Sequence, residues 1–493
     1  MEVRVLLSAK HARSIALLVA GAFFMEMLDG TVIATAMPQM ADSFGVEPVD
    51  LNIGMSAYIL TAAVLIPASG WLADRFGARI VFVVAIAIFT IASILCGLSN
   101  SLPAFTAARI LQGVGGAMMV PVGRLVVLKR TDKQDLMRAV AIITWPGLVA
   151  PILAPPLGGF ITTYASWRWI FFLNVPLGLA GLLLAILLLG SDRGEAKPPF
   201  DWKGFALTGL ACFGLMYVFD GIGRQEIHWL EMVGALLASL AVGFAAIRHA
   251  QRRPDSLVDF HALRVRTFAV TILGGSAFRV AISAVPFLLP LMFQLGFGLD
   301  AYRSGLLVLA VFAGNLAMKP GTTAVLKRFG FRRTMVATGI MNVVMILACA
   351  FLFPDTPTAI ILVVLFLGGM SRSMQFTTIN TLAFADIEED RMSGANTLFT
   401  MVQQITIGMG IAFGAIALRL GMVLHSDGSG VPTMAAFHLA FGLVGLVAVA
   451  ALIDVIGLPS NAGAEMSGHG TRARAGVAAR DEIVEATDRG SGS

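Results

Sequence analysis

Two acids, Glu26 and Asp29, stand in the apolar stretch FMEMLDGTVIATAMPQM at residues 23–39. Three residues apart on a helix, they sit about 60° from one another and share a face. Carboxylates among apolar side chains either exchange protons or neutralise a cation, because a low dielectric disfavours their charged form. A candidate cation is Arg109 in RILQGVGGAMMVPVGR (109–124), where Arg109, Gln112, Gly113, Gly116 and Val120 fall on one helical stripe. A cation inside a membrane span costs about 2.5–3.5 kcal/mol on insertion scales, so Arg109 needs a partner. Counted along their spans, Asp29 and Arg109 reach the same depth, while Glu26 lies nearer the middle. Asp29 is therefore a proton carrier or the counter-ion of Arg109. Glu26 has no evident partner and is the better candidate to meet proton, substrate or the cations of the second half. Those cations are Arg279, Lys319 and Arg372, with Gln375 on the same face as Arg372 and Asn380 a turn or so further on. They bind Glu26 across a cavity, attract an anionic substrate, or brace helices, Lys319 reaching the interface by snorkelling.

The elements that must position these groups are membrane helices. The chain of 493 residues is 57% hydrophobic and 13% charged, against roughly a quarter charged in a soluble domain, and its mean hydropathy is +0.83. Fourteen apolar runs approach or exceed the ~20 residues a bilayer crossing needs: 14–38, 51–73, 79–98, 104–127, 138–162, 168–189, 203–221, 230–248, 268–295, 303–325, 334–353, 358–384, 397–420 and 435–457. Alternate connections hold 22 basic residues against 3 in the intervening ones. This is the positive-inside pattern, so both termini are expected in the cytoplasm of a multi-pass protein of the cell (inner or plasma) membrane. The net charge of +5 thus reports topology, with no nucleic-acid partner implied. No cleavable signal peptide is evident, since the first apolar run is too long and carries two acids. Cys96, Cys212 and Cys349 fall inside spans and read as small packing residues.

RFGxR occurs at 75–79 and again at 328–332, in equivalent connections. That echo fits two six-span halves with a pair of spans inserted between them. The expected divisions are 1–190 (first half), 191–266 (inserted helices and linkers), 267–458 (second half) and 459–493, a polar, Gly- and Ala-rich tail expected to be disordered. Repeat-built transporters place their substrate between the halves, near the midplane.

Two other motifs concern movement. In GWLADRFGARI (70–80), Gly70 would permit close helix approach, and Asp74, Arg75 and Arg79 form a charged cluster at the membrane face that can make and break ion pairs. In WPGLVAPILAPPLGGFI (145–161), Pro146, Pro151, Pro155 and Pro156 with Gly147, Gly158 and Gly159 mark a hinge or a tight seam. SWRWIFFLNVPLG (166–178) reads as an interfacial aromatic belt, and FDWKGF (200–205) opens the seventh span.

In order, LDGTVIATAMP, GWLADRFGAR, RILQGVGGAMMVPVG, APPLGG and SWRWIFFLNVPLG resemble the signature motifs of the major facilitator superfamily, and more narrowly its fourteen-span drug:proton antiporter branch. The resemblance is dense from about 23 to 178 and thin beyond. It implies an all-α integral membrane protein of two six-helix halves plus two inserted helices. Asp29 matches the acid of the first-helix motif; Arg109, Gln112 and Gly113 match the proton-coupling motif. Gly147, Pro155, Gly158 and Gly159 match the antiporter motif; Gly70, Asp74, Arg75 and Gly77, joined by Arg79, match the gating loop. Ala78 replaces a usual basic residue, and Ala154 replaces the usual glycine of the antiporter motif.

The expected function is proton-coupled export of amphipathic small molecules by alternating access, as a monomer, with the proton gradient as energy source and no cofactor. Glu26, Asp29 and Arg109 would couple the proton; Glu26, Gln112, Arg279, Arg372, Gln375 and Asn380 would line the substrate cavity. A carrier of an anionic or zwitterionic metabolite is the alternative in the same class, and a non-transporting membrane sensor or scaffold the alternative outside it. An enzyme is not expected. No Gly-x4-Gly-Lys-Ser/Thr loop exists, and His11, His228, His249, His261, His425, His438 and His469 make no metal pair at helical spacing.

Overall fold

The computed structural model describes residues 2–130, 136–189, 200–222, 228–253, 260–384, 386–387, 392–425 and 431–456. The expected tail 459–493 lies outside the described residues, as do parts of the basic connections (131–135, 190–199, 254–259 and 388–391). Among the described residues all regular structure is helical. The long helices are α1 (Glu2–Val32), α2 (Asn52–Phe76), α3 (Ala78–Leu98), α4 (Leu102–Arg130), α5 (Leu136–Tyr164), α6 (Asn174–Leu188), α7 (Trp202–Ile222) and α8 (Trp229–Arg252). There follow α9 (Arg266–Leu291), α10 (Ala301–Met318), α11 (Phe331–Cys349), α12 (Thr358–Ala383), α13 (Met392–Leu424) and α14 (Met434–Ile456). Thirteen helical segments of the described chain are long and apolar enough to cross a membrane. The 29-residue α5 stands in the place of the fifth expected span and has the length of a fourteenth.

The packing repeats. In the first half α1 packs on α5, α2 on α4, and α3 on α4 and α6; in the second, α9 packs on α13, α10 on α12, and α11 on α12 and α14. Each partner is displaced by eight helices, so the six-helix unit occurs twice. The RFGxR echo has a structural basis in this repeat. Gly77 ends α2 and opens α3 at φ 91°, and Gly330 opens α11 at φ 74°, a region that side-chain-bearing residues avoid. The same glycine turns the chain sharply at the same place in each half.

Two seams join the halves, α5 on α10 and α2 on α13. At the face away from the termini they share one hydrophobic core, in which Leu28, Phe105 and Phe171 meet Phe287, Phe293 and Phe437. Toward the terminal face the cores divide, one around Phe82 and Phe89 and one around Phe331 and Met335. The two lead helices are irregular where they meet. α1 tightens into a 3-10 turn at Ile33–Thr35 ahead of Pro38, and α9, which carries Pro286 and Pro290, widens into a π turn at Met292–Gly296. Gln294 of that turn donates across the boundary to the Thr35 carbonyl at 3.0 Å. The inserted pair α7 and α8 packs together and rests against α2 and α13, where Cys212 joins a cluster with Phe268 and Leu398.

Candidate functional site

Asp29 and Arg109 meet. The carboxylate accepts from Arg109 Nη1 at 2.5 Å, and both side chains are fully enclosed. Gln112, one turn along α4, accepts from the same guanidinium at 2.6 Å and donates to Asp29 Oδ1 at 2.9 Å. Two residues the sequence reading did not single out complete the network. Ser93 of α3 accepts from Gln112 at 2.9 Å, and Asn174 of α6 donates to Asp29 Oδ1 at 2.9 Å. The Arg109 guanidinium also lies 4.4 Å from the centre of the Tyr58 ring. Gly113 and Gly116 make this approach possible: a methyl group at Gly113 would sit 2.7 Å from the Tyr58 carbonyl oxygen, and one at Gly116 2.8 Å from the Tyr58 hydroxyl. Four helices thus hold one buried ion pair with hydrogen bonds on most of its polar atoms, the condition under which such a pair is tolerated.

Glu26 faces elsewhere. With Met27, Gly30 and Thr31 of α1 it lines a cavity of about 290 Å³ between the halves, opposite Phe312, Asn315, Arg372 and Gln404. A second space of about 130 Å³ adjoins it, sharing Thr31, Met55, Ile59, Phe312, Arg372 and Ile407. Glu26 is 8% exposed, and its Oε2 has no hydrogen-bond partner. The shared helical face expected for Glu26 and Asp29 therefore straddles a boundary. Its edge nearer Asp29 turns into the first half, and its edge nearer Glu26 turns into the cavity.

The remaining predicted cavity residues separate. Arg372 lines both spaces, with Nη1 unpartnered. Arg279 lines neither. It is 0% exposed and stacks 4.7 Å from the centre of the Phe399 ring on α13, with Nη1 3.5 Å from the Thr271 carbonyl. Gln375 accepts from Thr338 of α11 at 2.6 Å, so it ties α12 to α11. Asn380 Oδ1 is buried without a partner but does not line either space. Gln112 is consumed by the ion-pair network. Lys319 reaches Thr377 at 3.2 Å. Asn315 and Gln404 line the cavity although their sequence setting did not mark them.

The antiporter-motif helix is a seam. α5 runs through its four prolines as a continuous helix. A methyl group at Gly158 would meet Thr35 Oγ1 of the α1 segment at 2.6 Å, and one at Gly159 would collide with the Ala301 carbonyl at the start of α10. Gly305 of α10 reciprocates against the Pro155 carbonyl. Ala154 is fully buried, so alanine fits where the family has glycine. Gly147 lies within α5. Beyond this seam Arg419 of α13 pairs with Glu47 at 2.9 Å and Asp50 at 2.7 Å, across the halves at the same face.

At the opposite face, Gly70 departs from expectation. A methyl group there would meet nothing within 4 Å, and the residue is exposed. Asp74 and Arg75 lie on the last turn of α2, Gly77 makes the turn, and Arg79 donates to the Ile186 carbonyl of α6 at 3.0 Å. FDWKGF caps the inserted pair: Asp201 accepts from the Gly204 amide at 3.1 Å, His249 at 2.9 Å and Arg253 at 3.2 Å. Burial alone would raise the Asp201 carboxyl, but these donors outweigh it and hold the group below the ordinary carboxylate range. In the aromatic belt, Arg168 stacks on Trp167 and donates to Ser99 and Asn100, pinning the α3–α4 connection.

Paired six-helix units around a central cavity define a membrane transporter fold, and the comparisons give the family. The profile of the Major Facilitator Superfamily matches residues 19–412, and the chain belongs to that superfamily. Relatives named "Putative multidrug resistance protein MdtD" are similar along most of the chain. The one from Escherichia coli O6:H1 is 35% identical over 442 residues, covering 88% of this chain and 93% of its own. The one from Shigella boydii serotype 18 is 36% identical over 408 residues, covering 82% and 85%. Among solved structures, an auto-inhibited POT family peptide transporter superposes with a TM-score of 0.66 at 16% identity, covering 91% of this chain and 97% of its own. A D-xylose-proton symporter does so with 0.64 at 16% identity, covering 91% and 98%.

Proposed function

We propose that the protein is a proton-coupled exporter of amphipathic small molecules, a drug:proton antiporter that works by alternating access. The observation that carries this reading is the division of labour between two acids one turn apart. Asp29 is locked to Arg109, and Glu26, within electrostatic reach of Arg124 but with no hydrogen bond on its Oε2, stands at the wall of a cavity between two halves. The positive-inside pattern assigns the terminal face to the cytoplasm, so the fused face is the exterior and the present shape is closed outward. Substrate enters from the cytoplasmic side and its cationic or polar end meets the Glu26 carboxylate. After the halves rock, the α5–α10 seam and the Arg419 pairs part, a proton from outside takes the carboxylate, and substrate leaves. The return stroke delivers the proton inward. The names of the MdtD relatives support drug-like substrates, and the buried Asp29–Arg109 network supports a strut that ties α1 to α4 beside the cavity.

The test is proton flux in vesicles reconstituted with the protein, driven by a panel of cationic, neutral and anionic amphipathic compounds. Wild type is expected to show compound-evoked flux, Glu26→Gln to lose it, and Asp29→Asn to lose its coupling. Full coupled transport in both variants would refute the assignment. A complete absence of flux for every compound would leave a sensor or scaffold as the reading.

A further inference from the structure

Three charged side chains border the larger cavity: Glu26, Arg109 and Arg372. Arg109 is already neutralised, since its guanidinium binds Asp29 at 2.5 Å and Gln112 at 2.6 Å. That leaves, on the lining itself, one acid on α1 in the first half and one base on α12 in the second; Arg124 of α4, which is not part of the lining, acts on Glu26 only through its charge. Both are incomplete in the same way. Glu26 Oε2 and Arg372 Nη1 are buried atoms without a hydrogen-bond partner, and each borders the cavity. Buried groups of this kind are ordinarily satisfied, and an exception calls for a missing partner. Between them the wall is apolar, with Met27, Met55, Ile59 and Phe312, and Asn315 and Gln404 supply uncharged polar contacts.

Resting on the exporter reading above, we infer that the cavity selects amphipathic zwitterions, whose cationic group pairs with Glu26 and whose anionic group pairs with Arg372 across an apolar body. A monocation satisfies Glu26 but leaves the guanidinium buried, unpaired and repelling it. An anion satisfies Arg372 but meets Glu26. A solute carrying both charges answers both atoms, and because they belong to opposite halves it also ties the halves together. Leaving one charged group without its hydrogen bond weakens binding by roughly ten- to a hundredfold.

The probe is a matched trio on one aromatic skeleton: 2-naphthylalanine as the zwitterion, its methyl ester as the cation and its N-acetyl derivative as the anion. Each is scored by the concentration giving half-maximal evoked proton flux in vesicles holding the full chain, with cationic dyes as a reference panel. Wild type is expected to respond to the zwitterion at roughly tenfold or more lower concentration than to either singly charged form. Arg372→Gln should collapse the ester-to-zwitterion ratio of these concentrations toward one, and Arg372→Lys, which keeps the charge, should preserve it. A wild-type ratio at or below one overturns the inference. So does an unchanged ratio in Arg372→Gln. A uniform gain in affinity for all three in that variant means that Arg372 serves Glu26 rather than the ligand, and overturns it too. If the dyes evoke flux and the trio does not, the inference falls and the exporter reading stands; if neither does, both fall.

Discussion

At the scale of single residues, the Asp29 network is a structure whose parts are worth more together than apart. Arg109→Ala strips a fully enclosed carboxylate of its counter-ion, which costs about 3–5 kcal/mol. Asn174→Ala removes one hydrogen bond to the same carboxylate and is expected to cost about 1.5–3 kcal/mol. Unfolding midpoints in detergent should rank the variants in that order. The combination Asp29→Asn with Arg109→Gln should lose less than the two single losses added, since neither charge is then left alone. Some of this was legible beforehand. Depth along two antiparallel spans brought Asp29 to Arg109, and helical phase put Gln112 beside it. Ser93 and Asn174 were not legible, because a neutral polar residue in an apolar span leaves no periodic mark until its partner helix is known. Arg279 shows the same limit from the other side. It shares its mid-span depth with Arg372, yet depth says nothing of azimuth, and packing turned one toward Phe399 and the other into the cavity.

Whole elements carry the conformational balance. α5 and α10 touch backbone to backbone at Gly159 and Ala301, so Gly159→Val should prevent that contact and populate the form open at the fused face. Arg419→Gln removes two ion pairs of intermediate exposure, about 1–2 kcal/mol between the exposed and buried limits. The matching shift is roughly five- to thirtyfold in the same direction. Maleimide labelling of a cysteine introduced at Thr35, in a background lacking the three native cysteines, should quicken in both variants. The inserted pair offers a pH test. Because the Asp201 carboxyl is held below its ordinary range, its stabilisation is present above the unfolded value near ~3.9 and fades as pH falls through the lower folded value. Asp201→Asn should therefore flatten the acid limb of the unfolding curve and leave less stability at neutral pH. The elements themselves were readable from hydropathy, including α7 and α8. The turns at Ile33–Thr35 and Met292–Gly296 were not, since Pro38, Pro286 and Pro290 signal that a helix is disturbed but not how the disturbance is accommodated.

For the molecule as a whole, a zwitterion exchanged for one proton moves one net charge inward. At about 2.3 kcal/mol per 100 mV, against ~1.4 kcal/mol for each tenfold ratio, such a cycle sustains a roughly 40- to 50-fold gradient at 100 mV. Clamping the vesicle potential with potassium and valinomycin should therefore change zwitterion-evoked flux, and a monocation exchanged one for one should be indifferent to it. The twofold design was half visible in RFGxR, whose two glycines the fold turns at corresponding places. The prolines and glycines of 145–161 marked one side of the α5–α10 seam, but its partner helix and the α2–α13 seam were invisible, because the seams join residues over a hundred positions apart that no local pattern links. They are also unequal. α7, backed by α8, lies against both α2 and α13, and the pair presents Leu210, Phe213, Leu237 and Phe244 outward. Along the α5–α10 seam, Leu153, Phe160 and Leu306 are themselves exposed. A solute dissolved in the bilayer thus meets two unlike flanks, one shuttered by the inserted pair and one bare.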